Sequence, residues 1–138
     1  MKILFIDEDW EIEVLAKVLS ARHAEHFFDL ADRLQDAKTK LWKEKYDRIV
    51  LDIMLPADEV TVPHSSEQAG VVSGLLFYDI IRSDKSCPNK ETPIIVLTGL
   101  LPGAHPRVRA IQQEIGNCFV QKPVHPDALY AKLLNPAK

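Results

Sequence analysis

Short continuous apolar runs alternate along this chain with longer segments in which apolar residues recur every three or four positions. The first run, Ile3 to Ile6, ends in the acids Asp7, Glu8 and Asp9, as expected of a strand buried on both faces of a parallel sheet. Ile12, Leu15, Ala16 and Leu19 then recur at helical spacing, with Asp9 placed to cap the start. A weaker strand over Glu25 to Leu30 leads into a second amphipathic helix marked by Leu30, Leu34, Ala37 and Leu41. Arg48 to Ile53 reads as the next buried strand. Leu75, Leu76, Ile80 and Ile81 fit a third helix that ends before the loop from Cys87 to Thr92. Pro93 opens "IIVLTG", a fourth strand, and Ala104, Val108, Ile111 and Ile115 form a helical stripe that Gly116 terminates. "CFVQ" is the fifth strand, and Pro126 with Asp127 starts a last helix through Leu134.

Strict alternation of this kind predicts an α/β fold, a doubly wound parallel sheet with helices on both faces joined by right-handed crossovers. Its length of 138 residues suits a single domain with a real core. A composition of 46% apolar and 27% charged residues fits a folded globular chain. The net charge of −3, with no basic stripe, predicts neither direct nucleic-acid binding nor a membrane surface. The lysines between Lys38 and Lys45 read as the solvated face of a helix. The opening apolar run meets acids too soon for a signal peptide, which predicts a cytoplasmic protein. Cys87 and Cys118 stand in no ligand spacing and read as a loop thiol and a buried strand residue. His23 and His26 lack a third ligand at useful spacing and read as surface histidines.

Ligands of such sheets bind at the carboxyl ends of the strands, so the residues standing there carry the chemistry. The first strand ends in Asp7, Glu8 and Asp9, the third in Asp52, the fourth in Thr98 and Gly99, the fifth in Lys122 and Pro123. Two carboxylates about 4 Å apart repel by about 4 kcal/mol at an effective dielectric near 20, so a cluster of three must take up protons or a cation. An all-oxygen set suits a hard divalent ion, and magnesium over calcium, because few carboxylates are available. A hydroxyl at Thr98 and an ammonium at Lys122 add donors for a group bearing several anionic oxygens. A lone Asp at a strand end is more often a turn or a cap; it is the coincidence of four complementary groups at four strand ends that points to phosphoryl transfer.

In order and spacing, "ILFIDED", "IVLDIMLP", "PIIVLTG" and "CFVQKPVHPDALYAKL" resemble the motifs of the receiver domain of two-component response regulators, over essentially the whole chain. The resemblance implies a flavodoxin-like sheet of five strands in the order 2-1-3-4-5. It implies that Asp52 is the phosphoacceptor, receiving phosphate from a histidine kinase or histidine phosphotransfer protein. Mg2+ would be held by Asp7, Glu8, Asp52 and the backbone carbonyl of Met54. Thr98 and Lys122 would bind the phosphoryl group, and Phe119 would be the aromatic switch residue that turns inward in the active state. A cis bond between Lys122 and Pro123 is implied as well. The activity so implied is Mg-dependent self-phosphorylation and self-dephosphorylation rather than that of a conventional enzyme. The output would be a protein contact near the fourth helix, fifth strand and fifth helix.

Two features depart from the family's pattern. Glu8 stands where aspartate is commonest, adding a methylene to one metal ligand, so that either Glu8 contacts the metal directly or Asp9 takes over part of its work. The connection after Asp52 is long: Gly74, with Ser73 as its cap, resembles the family's helix-opening glycine, which leaves an insertion of approximately 56–72 inside a single domain spanning 1–138. Ser65 and Gln68 offer an alternative, a capping box that extends the third helix backwards. The insertion is either a tolerated surface loop or an element that shields the phosphate or meets a partner; His64 within it is given no catalytic role. The preferred reading is a stand-alone receiver. The alternatives are a degenerate receiver acting as a phosphate-independent binding module, and a magnesium phosphohydrolase, which would want an acid where Met54 stands.

Overall fold

The computed structural model describes residues 1–55, 69–100, 103 and 105–136, and only the backbone of 69–72. Strands β1 (Lys2–Ile6), β2 (Phe27–Ala31), β3 (Arg48–Leu51), β4 (Ile94–Thr98) and β5 (Phe119–Gln121) alternate with helices α1 (Trp10–Arg22), α2 (Leu34–Lys43), α3 (Ala69–Ser83), α4 (Pro106–Ile115) and α5 (Pro126–Leu134). The five strands form one parallel sheet in the order β2-β1-β3-β4-β5. The chain reverses its direction of travel across the sheet after β2, so right-handed crossovers carry α1 to one face and α2 to α4 to the other. The packing agrees: α1 lies against α5, and α3 against α4.

Apart from Lys2, Arg48 and Thr98 at their ends, the three inner strands are apolar because both of their faces are covered. Ile3 to Ile6 of β1, Ile49 and Leu51 of β3, and Ile95 and Val96 of β4 are fully buried. At the edge β2 exposes Phe27 and half-buries Phe28, Asp29 and Leu30, which is why its hydrophobic signal is weak in the sequence. Leu30 belongs to this strand and not to the second helix; the stripe that α2 buries is Leu34, Ala37 and Leu41. Asp29 is tied to the next layer by Lys40 Nζ at 2.8 Å and by the hydroxyl of buried Tyr46 at 2.8 Å.

Helix ends follow the local chemistry. Asp9 caps α1 by accepting from Glu11 N–H at 3.1 Å, and the imidazoles of His105 and His125 do the same for α4 and α5, each followed by proline. Gly116 ends α4 with φ at 54°, a conformation that side chains beyond glycine disfavour. A 3-10 turn, Gly116–Cys118, then leads into β5, so Cys118 precedes the strand; it is buried, as is Cys87. The peptide bond between Lys122 and Pro123 is cis. His23 and His26 are half-buried, contrary to their reading as surface residues. The ring of His23 stacks on Tyr130 with centroids 3.5 Å apart, and His26 Nε2 lies 2.9 Å from the Tyr130 hydroxyl. Among the described residues no helix is long and apolar enough to cross a membrane.

The third helix differs from expectation. Its described part begins at Ala69, so residues 69–72 of the expected insertion belong to the helix, while 56–68, with Ser65 and Gln68, lie outside the described residues, as does Ala104. Ser73 therefore does not cap the helix. It sits fully buried inside the helix, and its hydroxyl donates to the Leu55 carbonyl. Beside it the backbone of Gly74 rests directly on the segment after β3. Its N–H donates to Ile53 O at 3.1 Å, and a Cβ built on it would stand 2.3 Å from Ile53 Cα and 2.7 Å from Asp52 O. Both obstacles are backbone and cannot rotate away. Gly74→Ala is therefore expected to destabilise the fold by about 3 kcal/mol, at the upper end of overpacking costs. Urea denaturation measures this, and an unchanged midpoint would contradict the contact.

Candidate functional site

Three site residues are placed by one device, the extension of the sheet's hydrogen-bond ladder a single step past each strand. Asp7 N–H donates to Ala31 O at 3.0 Å, Asp52 N–H to Ile6 O at 2.9 Å, and Lys122 N–H to Thr98 O at 2.8 Å. Their side chains thus leave a rigid edge at fixed positions.

The two buried carboxylates are held alike. Asp7 Oδ1 accepts from Asp9 N–H at 2.9 Å and Asp52 Oδ1 from Met54 N–H at 2.9 Å, each closing a turn onto the backbone two residues ahead. The remaining oxygen of each turns to Lys122, whose Nζ lies 2.8 Å from Asp7 Oδ2 and 3.2 Å from Asp52 Oδ2. A third carboxylate, Asp9, approaches the same ammonium at 3.6 Å. Glu8 is exposed. Asp7, Glu8, Asp52, Met54, Gly99 and Lys122 line an open cleft of about 460 Å³.

One lysine shared among several acids leaves Asp7 under-compensated and the lysine over-compensated. Burial pushes the Asp7 carboxyl up to about 6, and the charge of Asp52 adds to this, against the hydrogen bonds from Lys122 and Asp9 N–H that pull it down. Burial alone would lower Lys122. Its hydrogen bond with Asp7 and the attraction of Asp52 outweigh that and hold it above the usual lysine value.

Thr98 is brought to the edge but not into the cleft. It is fully buried, and its Oγ1 accepts from Leu100 N–H at 3.2 Å, whereas the neighbouring Gly99 forms the wall, with no atom within 4 Å of where its Cβ would be. Phe119 lies half-buried against the core at the start of β5. The Met54 side chain is exposed. Among the described residues no three histidine, cysteine or acidic side chains are gathered tightly enough to hold a metal ion as they stand. Asp7 and Asp52 nonetheless already share one cation, the Lys122 ammonium, and Mg2+ commonly uses only one or two carboxylates with water and phosphate completing its shell. The donor set fits that ion.

No protein-family model matches the sequence, and no curated protein matches it. Solved structures do match. The chemotaxis response regulator CheY4 of Vibrio cholerae is similar over 98% of this chain and 97% of its own, with a TM-score of 0.64 at 22% identity. A two-component response regulator from Clostridium difficile aligns over 99% of this chain and 94% of its own, with a TM-score of 0.65 at 25% identity. The signal receiver domain of a histidine kinase from Syntrophus aciditrophicus covers 98% and 88%, with a TM-score of 0.64 at 17% identity. The chain has the receiver-domain fold.

Sequence reasoning found the groups at the ends of this receiver fold's strands but assigned Asp9 mainly to capping. Its second role depends on the approach of Lys122 from the far end of the chain, which no local spacing signals.

The raised Asp7 pKa has a direct consequence for stability. A carboxyl whose folded pKa lies above its unfolded value of 3.8 contributes stability below that value and loses it as pH rises through about 6. At neutral pH its burial is a cost that an amide would remove. In metal-free buffer Asp7→Asn is expected to stabilise the protein by about 1–2 kcal/mol at pH 7.5, a gain that fades toward pH 4. Denaturation at the two pH values measures it; a loss of stability at pH 7.5 would contradict the assignment.

Proposed function

We propose that this chain is a phosphoacceptor receiver domain of a two-component relay, one domain over 1–138, acting as a switch. The observation that carries the reading is the arrangement of Asp52: one oxygen pinned by Met54 N–H, the other facing the Lys122 ammonium in an open cleft. A carboxylate is a weak nucleophile, and what a protein can add is position and charge neutralisation. Both are present around Asp52.

In this reading the Asp52 carboxylate attacks the phosphorus of a phosphohistidine on a kinase or phosphotransfer protein. The new P–O bond forms as the P–N bond breaks, and the departing imidazole keeps the electron pair and takes up a proton from solvent. Lys122 pairs with the equatorial oxygens. Asp7, Glu8, Asp52 and the Met54 carbonyl would hold Mg2+, which when bound neutralises charge on the phosphoryl oxygens. Thr98 surrenders its contact with Leu100 N–H and donates its hydroxyl to the phosphoryl group. The new charge of about −1.5 to −2 thereby acts on the segment following β4. Phe119, beside β4 through its pairing with Val96, follows inward, and the altered face is that of α4, β5 and α5. The downstream target is a protein, and a cytoplasmic location fits this role. The thioether of Met54 can neither accept a proton from water nor orient it, so the aspartyl phosphate is long-lived.

Two measurements test this. Incubation with Mg2+ and acetyl phosphate is expected to add one phosphoryl mass to the wild-type protein and none to Asp52→Ala. No gain, with a kinase donor as well, would make the chain a phosphate-independent binding module, and rapid turnover of many donors would make it a hydrolase. Met54→Asn is expected to shorten the lifetime of the phosphorylated form several-fold, and an unaltered rate would remove Met54 from the account.

A further inference from the structure

The role of Asp9 goes beyond capping. It is anchored twice: its N–H donates to Asp7 Oδ1 at 2.9 Å, and its own Oδ1 accepts from Glu11 N–H at 3.1 Å in the first turn of α1. Those bonds fix the carboxylate and leave Oδ2 aimed at Lys122 Nζ, 3.6 Å away, just outside the distance of a charge-assisted hydrogen bond. The same ammonium uses its closer contacts, 2.8 and 3.2 Å, on Asp7 Oδ2 and Asp52 Oδ2. Those two oxygens are also the ones left free for a cation, because the Oδ1 atoms are occupied by backbone N–H groups. Lysine and metal therefore compete for one pair of atoms.

The geometry points to Asp9 as a positioning residue that takes over the Lys122 ammonium when a divalent cation occupies Asp7 and Asp52. This rests on the metal reading given above and names what that reading leaves unsaid, where the lysine goes. The Lys122 side chain is only 18% exposed, and a displaced ammonium with no acceptor would stand desolvated beside a divalent charge. A shift of under about 1 Å toward Asp9 closes the gap from 3.6 Å to an ordinary ion-pair distance with no change in the cap. It also keeps the lysine at the mouth of the cleft, within reach of an incoming phosphoryl group.

The test is a double-mutant cycle on metal affinity, read by calorimetric titration of Mg2+ and of Mn2+ with no phosphodonor present. The proteins are wild type, Asp9→Asn, Lys122→Met and the double variant, with Asp9→Ser and Lys122→Gln as second versions of each change. Asn and Ser both preserve an N-cap, so α1 is retained. If Asp9 acted on the metal only through its own charge, its removal would weaken binding equally with or without the lysine. If Lys122 left Asp9 on metal binding, removal would matter less with the lysine present. Transfer of the ammonium to Asp9 predicts the opposite: a loss of about tenfold in the Lys122 background against about threefold in Lys122→Met. An equal or smaller loss with Lys122 present overturns the inference while leaving the metal site standing. A wild-type protein that binds neither ion overturns the metal reading itself and the inference with it.

Discussion

A single ammonium group holds the carboxyl edge of this sheet together. Lys122 lies within 3.6 Å of three carboxylates, two of them buried, that would otherwise repel one another across the ends of β1 and β3. The main chain cannot carry them apart, because the N–H groups of Asp7 and Asp52 are held by backbone bonds that continue the sheet. The lysine enters from β5, past Thr98, so the charge balance of the site depends on the neighbouring strands staying in register. Function and fold share this constraint. Asp7, one of the acids proposed to hold a cation, also burdens the folded state, as its raised pKa shows.

The order of elements could be read from the chain because parallel sheets covered on both faces write themselves as unbroken apolar runs. Ile3 to Ile6 and Ile94 to Leu97 are such runs, and the acids or hydroxyl that follow them mark the carboxyl edge. Strand β2 was fainter since an edge strand with exposed Phe27 and ion-paired Asp29 has no reason to be uniformly apolar. Leu30 was misassigned for the same reason: at the end of an edge strand it falls in step with the helical stripe that follows.

The place of Ser73 in α3 could not be read from local chemistry. A serine before a glycine is an ordinary helix opening, and only the tertiary contact of Ser73 with the Leu55 carbonyl shows that this serine is spent elsewhere, inside the helix. His23 and His26 tell a similar story. Nothing within several residues of either predicts a stacked tyrosine more than a hundred positions away. Asp9 was legible as a cap and illegible as a lysine partner, because capping is decided by the next two residues and ion pairing by the opposite end of the chain. In general the edge of the site was visible in the sequence, while the contacts that lean on it from other elements were not.

The bare backbone of Gly74 gives the molecule a joint with no play. Most elements of a sheet protein meet through side chains, which change rotamer and absorb small displacements before the next element feels them. Here α3 meets the carbonyl of Asp52 and the Cα of Ile53 with nothing interposed, closer than any Cβ would permit. Any movement of the backbone carrying Asp52 is therefore handed to α3 undamped, and any tilt of α3 is handed back. The aspartate is seated on a helix as well as on a strand, and the helix forms a stop behind it.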